Sequence, residues 1–348
     1  MKDNHPALLP SEGDSKRMDR RGFAKTVAGA ALSLTASAVL PSKAYARSID
    51  TSDALSVSAP CSPSQNVTEQ TFSFHADADS LSGAFDEPLG HIPEQASISL
   101  PTIGGLRSRQ SAEFAFEGIL SARSTYTHVA GTTVQKYGPW TGRVTSVVEN
   151  LNILGRITAD RLVASIFMQH PVAGGLRKVS FAGTSFENLR IDGKPITLTL
   201  NSVLLPAQTP FIDPYDESAF ATPEIEWSSL WQTAYSQSRS LIANSNLPQW
   251  AADRYGWIAA KQTATDLATQ EGYAICPLVN KIDGLADGQS FGHFIELPDL
   301  GRIFLGEATI YPKSVSLTAV RAELSSTPAG QVSAATAASN GSTCPPGD

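Results

Sequence analysis

The chain has 348 residues, 41% hydrophobic and 17% charged, which excludes a disordered polymer and leaves ample length for a buried core. Of the formal net charge of −7, residues 1–46 carry +3 from seven Lys/Arg against four Asp/Glu, so the remainder stands at −10. Phosphate backbones repel such an acidic body, and no basic stripe is interleaved with aromatics, which argues against nucleic acid as a partner.

The first element is a leader. Asp19-Arg20-Arg21-Gly22-Phe23-Ala24-Lys25 resembles the twin-arginine export motif, with Arg20 and Arg21 paired and the aromatic Phe23 two positions on. Thr26 to Leu40 is an Ala/Gly-rich segment, too short and too weakly apolar to span a membrane. Pro41 ends it, and Ala44 and Ala46 supply the small residues that signal peptidase selects at −3 and −1. Residues 1–46 are therefore read as a signal peptide cleaved after Ala46. The implied partners are the twin-arginine translocation machinery and signal peptidase, and the implied location is periplasmic or secreted. No later run reaches about 18 apolar residues, so no transmembrane anchor is expected in the mature chain.

Residues 47–110 are rich in Ser, Ala, Pro and acidic side chains and read as a flexible or irregular segment. Within it Thr71–His75 alternates as one strand, and His75, Asp77, Asp79 and Asp86 read as solvated loop residues for want of metal-ligand spacing.

Strand grammar begins at Ser111. Phe114 and Phe116 share a face; so do Val144, Ser146 and Val148, then Leu151 and Ile153, Ile157 and Ala159, and Leu162, Ala164 and Ile166. Ile191-Asp192-Gly193-Lys194 is the strongest local signal, because Asp-Gly supplies the positive φ angles of a two-residue type I′ hairpin. The pattern breaks over 206–271, first in a loop marked by Pro206, Pro210, Pro214 and Pro223 and then in a helical insertion at about 222–271. Thr222-Pro223 has the form of a helix start, and Trp227, Leu230, Trp231, Ala234, Tyr235, Ser238, Leu241 and Ile242 recur at helical spacing. Asn246-Leu247-Pro248 opens a second helical stretch holding Trp250, Trp257 and Ile258.

Strands resume over Ile275–Ile282, Phe291–Leu297 and Arg302–Ile310, the last two joined by the turn set Pro298-Asp299-Leu300-Gly301. Val315, Leu317 and Ala319 hold one phase and Val320, Ala322 and Leu324 the other, which predicts a bulge near Ala319. The small, polar tail 326–348 reads as disordered. The predicted fold is mainly β, an antiparallel sandwich-like scaffold over 111–325 with a short helical insertion. Of the three cysteines, Cys276 sits in an apolar run as a buried thiol, while the pairing of Cys61 and Cys344 stays open.

ENLNILGRITAD (149–160) and FENLRIDGKPI (186–196) resemble exported bacterial domains of the choice-of-anchor P type, which carry a similar strand pair and hairpin. HFIELPDLGRIFLGEATI (293–310) and LTAVRAEL (317–324) are similar to segments of secreted bacterial proteins of unknown function. The resemblance implies an exported β scaffold and no chemistry. The chain closes on Pro345-Pro346-Gly347-Asp348 without an apolar sorting span, so free secretion or periplasmic residence is expected over surface anchoring.

No cofactor motif, G-x-S-x-G or regular metal-ligand spacing is present. Trp227, Trp231, Trp250 and Trp257 are candidates for a sugar-stacking platform, set against packing of the insertion onto the sheet. Asp213, Asp216 and Glu217 are candidates for calcium ligands or for one of a glycosidase's two carboxylates, set against a Pro-flanked acidic loop. The expected function is a non-catalytic binding or structural module of the bacterial envelope or exterior, with a glycan or envelope protein as partner. The alternative is an envelope polysaccharide hydrolase using loop carboxylates. Two carboxylates about 5–10 Å apart in a deep cleft mark the enzyme. A shallow groove with exposed aromatics marks the module.

Overall fold

Ile153 and Ile157 face each other across a tight turn, and from that point two 14-residue strands, Trp140–Ile153 and Ile157–His170, run antiparallel. They form the middle of one sheet. Ser124–Thr133 and then Gly105–Ser111 extend it on one side; short strands, among them Arg190–Ile191 and Lys194–Pro195, extend it on the other. Asp192 and Gly193 have φ of 52° and 74°, the two left-handed residues that the I′ hairpin requires.

This computed structural model describes residues 71–87, 89–133, 139–171, 177–205, 224–286, 289–325 and 328–344, all within the unit Pro60–Asp348. Arg20, Arg21, Phe23, Ala44, Ala46, Cys61, Asp213, Asp216 and Glu217 lie outside the described residues, as does the helix start read at Thr222-Pro223.

The second sheet corrects the reading of both flanks of the predicted domain. Its central order is Gly301–Ile310, Ser314–Ser325, Ala329–Cys344, Thr71–Glu87, Leu89–Gln95. The strand read at Thr71–His75 runs on through the segment read as irregular to Glu87, 17 residues in all; Ala329–Cys344 belongs to the tail read as disordered, yet it is a 16-residue strand. They pair along their length, from Thr71 opposite Cys344 to Glu87 opposite Ala329. Ala334, Ala335 and Ala337 are fully buried, as is Leu81. Alanine and serine give little apolar contrast, so period-two alternation is nearly invisible there. The strand is held by backbone hydrogen bonds on both edges.

The two sheets stack as a sandwich. Thr71–Glu87 lies over Ser124–Thr133 and Trp140–Ile153, and Ala329–Cys344 lies over Trp140–Ile153 and Ile157–His170. Val144, Val148, Ile166, Leu317 and Val332 fill the layer between them. Ser146 Oγ donates to the Asp79 carbonyl at 2.8 Å, a polar stitch between layers.

The change of phase predicted near Ala319 exists, but no residue is inserted there. Leu305 pairs with Val320 and Glu307 with Thr318, leaving Gly306 opposite Ala319 in unbroken register. The same level continues through Ala335 and Ser80, since Thr318, Thr336 and Asp79 pair on one side and Val320, Ala334 and Leu81 on the other. Gly306 and Ala335 have φ of 60° and 54°. A left-handed residue interrupts the alternation, so its two neighbours, which share a face in a regular strand, are turned to opposite faces.

The helical insertion is confirmed, with helix α1 spanning Trp227–Ile242 and helix α2 spanning Gln249–Ala259. Leu230, Trp231, Ala234, Tyr235 and Ser238 form the buried face of α1, and Ala251, Tyr255 and Ile258 that of α2. A capping box at Thr263 and Asp266 starts a further turn that runs into a π-helical stretch, Leu267–Glu271. Cys276 is fully buried against α1, its Sγ 3.7 Å from the Leu230 carbonyl oxygen.

Candidate functional site

The exposed face of α1 is unusual for a solvent face. From Trp227 to Ser238 the helix contains no charged residue, and Gln232, Ser236 and Ser240 recur every fourth position as an exposed polar row. Thr233, Gln237 and Asn244 form a second row beside it. These rows are one wall of an open groove of about 680 Å³. The opposite wall comes from Asn201, Val203, Pro277, Val279 and Asn280.

Two contacts hold the walls together. Gln237 Nε2 donates to the Pro277 carbonyl at 2.8 Å and reaches Asn280 Oδ1 at 3.3 Å. Asn201 is buried, and its Oδ1 accepts from the backbone N–H groups of Val203 and Leu204 at 2.9 and 3.3 Å, an Asx turn that shapes the rim. Asn201 therefore serves the groove's architecture, whereas Gln232, Ser236 and Asn280 stand exposed along it.

The floor is Tyr255 of α2 and His293, both buried. Tyr255 Oη lies 2.9 Å from His293 Nε2 and 3.3 Å from Glu307 Oε1. Beneath them Glu307 accepts from two arginines: Arg254 Nη2 at 2.9 Å, and Arg321 through Nε at 3.1 Å and Nη2 at 2.6 Å. Arg321 Nη1 also pairs with Glu323. Both guanidinium groups sit over the Phe304 ring, at 3.9 Å for Arg321 and 4.9 Å for Arg254.

Burial alone would push the Glu307 carboxyl upward, but the charges of Arg321 and Arg254 outweigh it and hold the group well below the usual carboxylate range. His293 is lowered, chiefly by burial and also by the same arginines, against the opposing pull of Glu307. Tyr255 is raised, first by burial and then by the Glu307 charge. Two carboxylates are thus matched by two guanidiniums, while the floor facing the groove is a neutral imidazole and a neutral phenol.

The four candidate tryptophans do not come together on one surface. Trp231 is buried in the core. Trp250 packs on Phe294 at 4.8 Å, donates through Nε1 to Glu296 at 2.9 Å, and carries Arg302 above its ring at 3.9 Å. Trp257 rests on Tyr273 at 4.8 Å, and Trp227 lies under Arg177 at 5.1 Å. Each anchors the insertion to a different part of the scaffold, and none lines the groove among the described residues. His75, Asp77 and Asp79, read as solvated loop residues, lie instead on the Thr71–Glu87 strand; His75 Nε2 meets Asp77 Oδ2 at 2.8 Å and Asp79 is buried. No group of three or more metal-ligating side chains occurs among the described residues.

Gln232, Gln237, Asn280, His293 and Glu307 were missed because groove residues come from separated segments. Two local signals pointed towards them. One is the charge-free polar face of α1; the other is a lone acid and a lone base, Glu307 and Arg321, inside the otherwise apolar cores of adjacent strands.

Residues 72–311 match a family model described as Domain of unknown function (DUF8256). The chain belongs to this family. The match includes the whole helical insertion, all the residues that line the groove and Glu307, and it stops before Ser314–Ser325 and Ala329–Cys344. No curated protein and no solved structure matches the chain. No helix among the described residues is long and apolar enough to cross a membrane.

Proposed function

We propose that this protein is an exported, non-catalytic β-rich module that binds a component of the bacterial envelope or exterior through the groove beside α1. The observation that carries the reading is the groove's lining, which presents carboxamides and hydroxyls and, among the described residues, no carboxylate, lysine or arginine. Such a surface offers many hydrogen bonds, and among the described residues its two titratable groups, Tyr255 and His293, are buried in the floor and hydrogen-bonded to each other. The carboxylate beneath the floor, Glu307, is tied to two arginines and is unavailable for proton transfer. The hydrolase alternative finds no support in this groove. Export rests on Arg20, Arg21 and Phe23 with Ala44 and Ala46, and the resemblance to choice-of-anchor P domains agrees with it.

Titration of the protein with envelope glycans and peptidoglycan fragments tests the binding claim, with Ser236→Trp as the variant that fills the groove. Binding should be saturable and should vanish in that variant; ligands that bind both proteins equally would place the site elsewhere. For export, Arg20→Lys and Arg21→Lys together should retain the precursor in the cytoplasm. Unimpaired export on cell fractionation would show that the leader has been misread.

A further inference from the structure

We infer that the groove's ligand is an uncharged, hydroxyl-rich oligosaccharide, read by Gln232, Ser236 and Asn280 on the rim. The inference deepens the binding reading above and rests on it.

The chemistry of the rim favours hydroxyl groups. A carboxamide holds an acceptor and two donors in one plane, and a serine hydroxyl donates and accepts. Neighbouring sugar hydroxyls are likewise donors and acceptors at once, so one can donate to the amide oxygen while the next accepts from the amide nitrogen. Gln232, Ser236 and Asn280 are exposed; Gln232 Nε2 donates to Ser236 Oγ at 3.4 Å and Asn280 Oδ1 accepts from Gln237 at 3.3 Å, long contacts that leave the Gln232 oxygen, the Ser236 proton and the Asn280 amide nitrogen for a ligand. Val203, 58% exposed on the rim, offers an apolar contact suited to the C–H face of a sugar ring.

The same lining disfavours charge. A carboxylate or ammonium entering the groove would lose water without meeting a counter-ion among the described residues, because Arg254 and Arg321 are already engaged by Glu307 and Glu323. The buried network therefore does two things: it fixes Tyr255 and His293 in the floor, and it satisfies its own charges internally. An extended peptide fits less well. Its alternate side chains need apolar pockets, whereas the apolar lining residues Ile275 and Val279 are buried. With no exposed aromatic in the lining among the described residues, stacking contributes little, and a dissociation constant on the order of 0.1–1 mM is expected.

The experiment titrates the full chain by calorimetry with three probes of similar length: a neutral chitohexaose, an oligogalacturonate, and an uncharged hydrophilic peptide. Each is measured at low and high salt, on the wild type and on Gln232→Ala, Asn280→Ala and Ser236→Trp. Chitohexaose should bind with little salt dependence, weaken about fivefold to tenfold in each alanine variant, and be lost in Ser236→Trp. These three positions are exposed, and a thermal melt checks that each variant folds; should Ser236→Trp fail, the two alanine variants still decide. Groove-dependent binding of oligogalacturonate or peptide, with no binding of chitohexaose, would overturn the ligand class while leaving the groove as a binding site. Equal binding of neutral and acidic sugars would also overturn it. No groove-dependent binding of any probe would sink this inference and the binding reading together.

Discussion

Arg321 Nη2 lies 2.6 Å from Glu307 Oε2, on the face of the sheet that α2 covers. Both side chains are buried, at 6% and 8% exposure, so neither charge is hydrated enough to survive the loss of the other. Glu307→Gln should therefore destabilise the protein by about 3–5 kcal/mol, because two guanidiniums lose their carboxylate in a dry site. Adding Arg321→Met should recover part of that loss. Urea unfolding of the single and double variants measures both effects, and a single-variant loss below about 1 kcal/mol would mean that the pair is solvated.

Asp79 gives a pH dependence of known sign. Burial pushes its carboxyl up to about 7, the Ser82 hydroxyl opposes that shift, and the nearby Glu94 charge adds to it. The folded value thus lies above the unfolded one, near 3.9. Its contribution is fully present below about pH 4 and is lost as pH rises through about 7. Stability should fall across that window by up to about 4 kcal/mol from this residue, and Asp79→Asn should flatten the slope. Denaturation midpoints at pH 4.5, 6 and 8 check it; an Asn variant weaker than wild type at pH 8 would contradict the account.

Two glycines should respond oppositely to alanine. Gly306 has φ of 60°, and an added Cβ would lie 3.2–3.4 Å from Leu278, Phe186 and Val279. Gly306→Ala should cost about 1–3 kcal/mol from the left-handed backbone and crowding together. Gly256 lies inside α2, and an added Cβ there meets nothing within 4 Å. Gly256→Ala should stabilise by about 0.5–1 kcal/mol. Thermal melts of the two variants should move in opposite directions.

The Cys276 thiol should be inert in the native state, because burial pushes it up to about 12. Iodoacetamide at pH 8 should leave the peptide holding Cys276 unmodified until urea is added. Labelling of the folded protein at that residue, read by mass spectrometry, would show that the strand Ala274–Pro277 opens.

Local features are legible in the sequence: the Asp192-Gly193 hairpin, the strand faces of Leu151 with Ile153 and of Ile157 with Ala159, the amphipathic faces of α1 and α2, and the burial of Cys276. These follow from periodicity and turn chemistry, which act between residues close in the chain. Tertiary structure alone decided that Thr71–Glu87 and Ala329–Cys344 are neighbours at the centre of a sheet. Their small residues carry weak local preference, and pairing between the two ends of a chain depends on the rest of the fold bringing them together. It also decided the site. Tryptophans conspicuous in the sequence became anchors for the insertion. Gln232, Asn280 and His293, unremarkable where they stand, meet across one groove because α1 packs against strands more than thirty residues further along the chain.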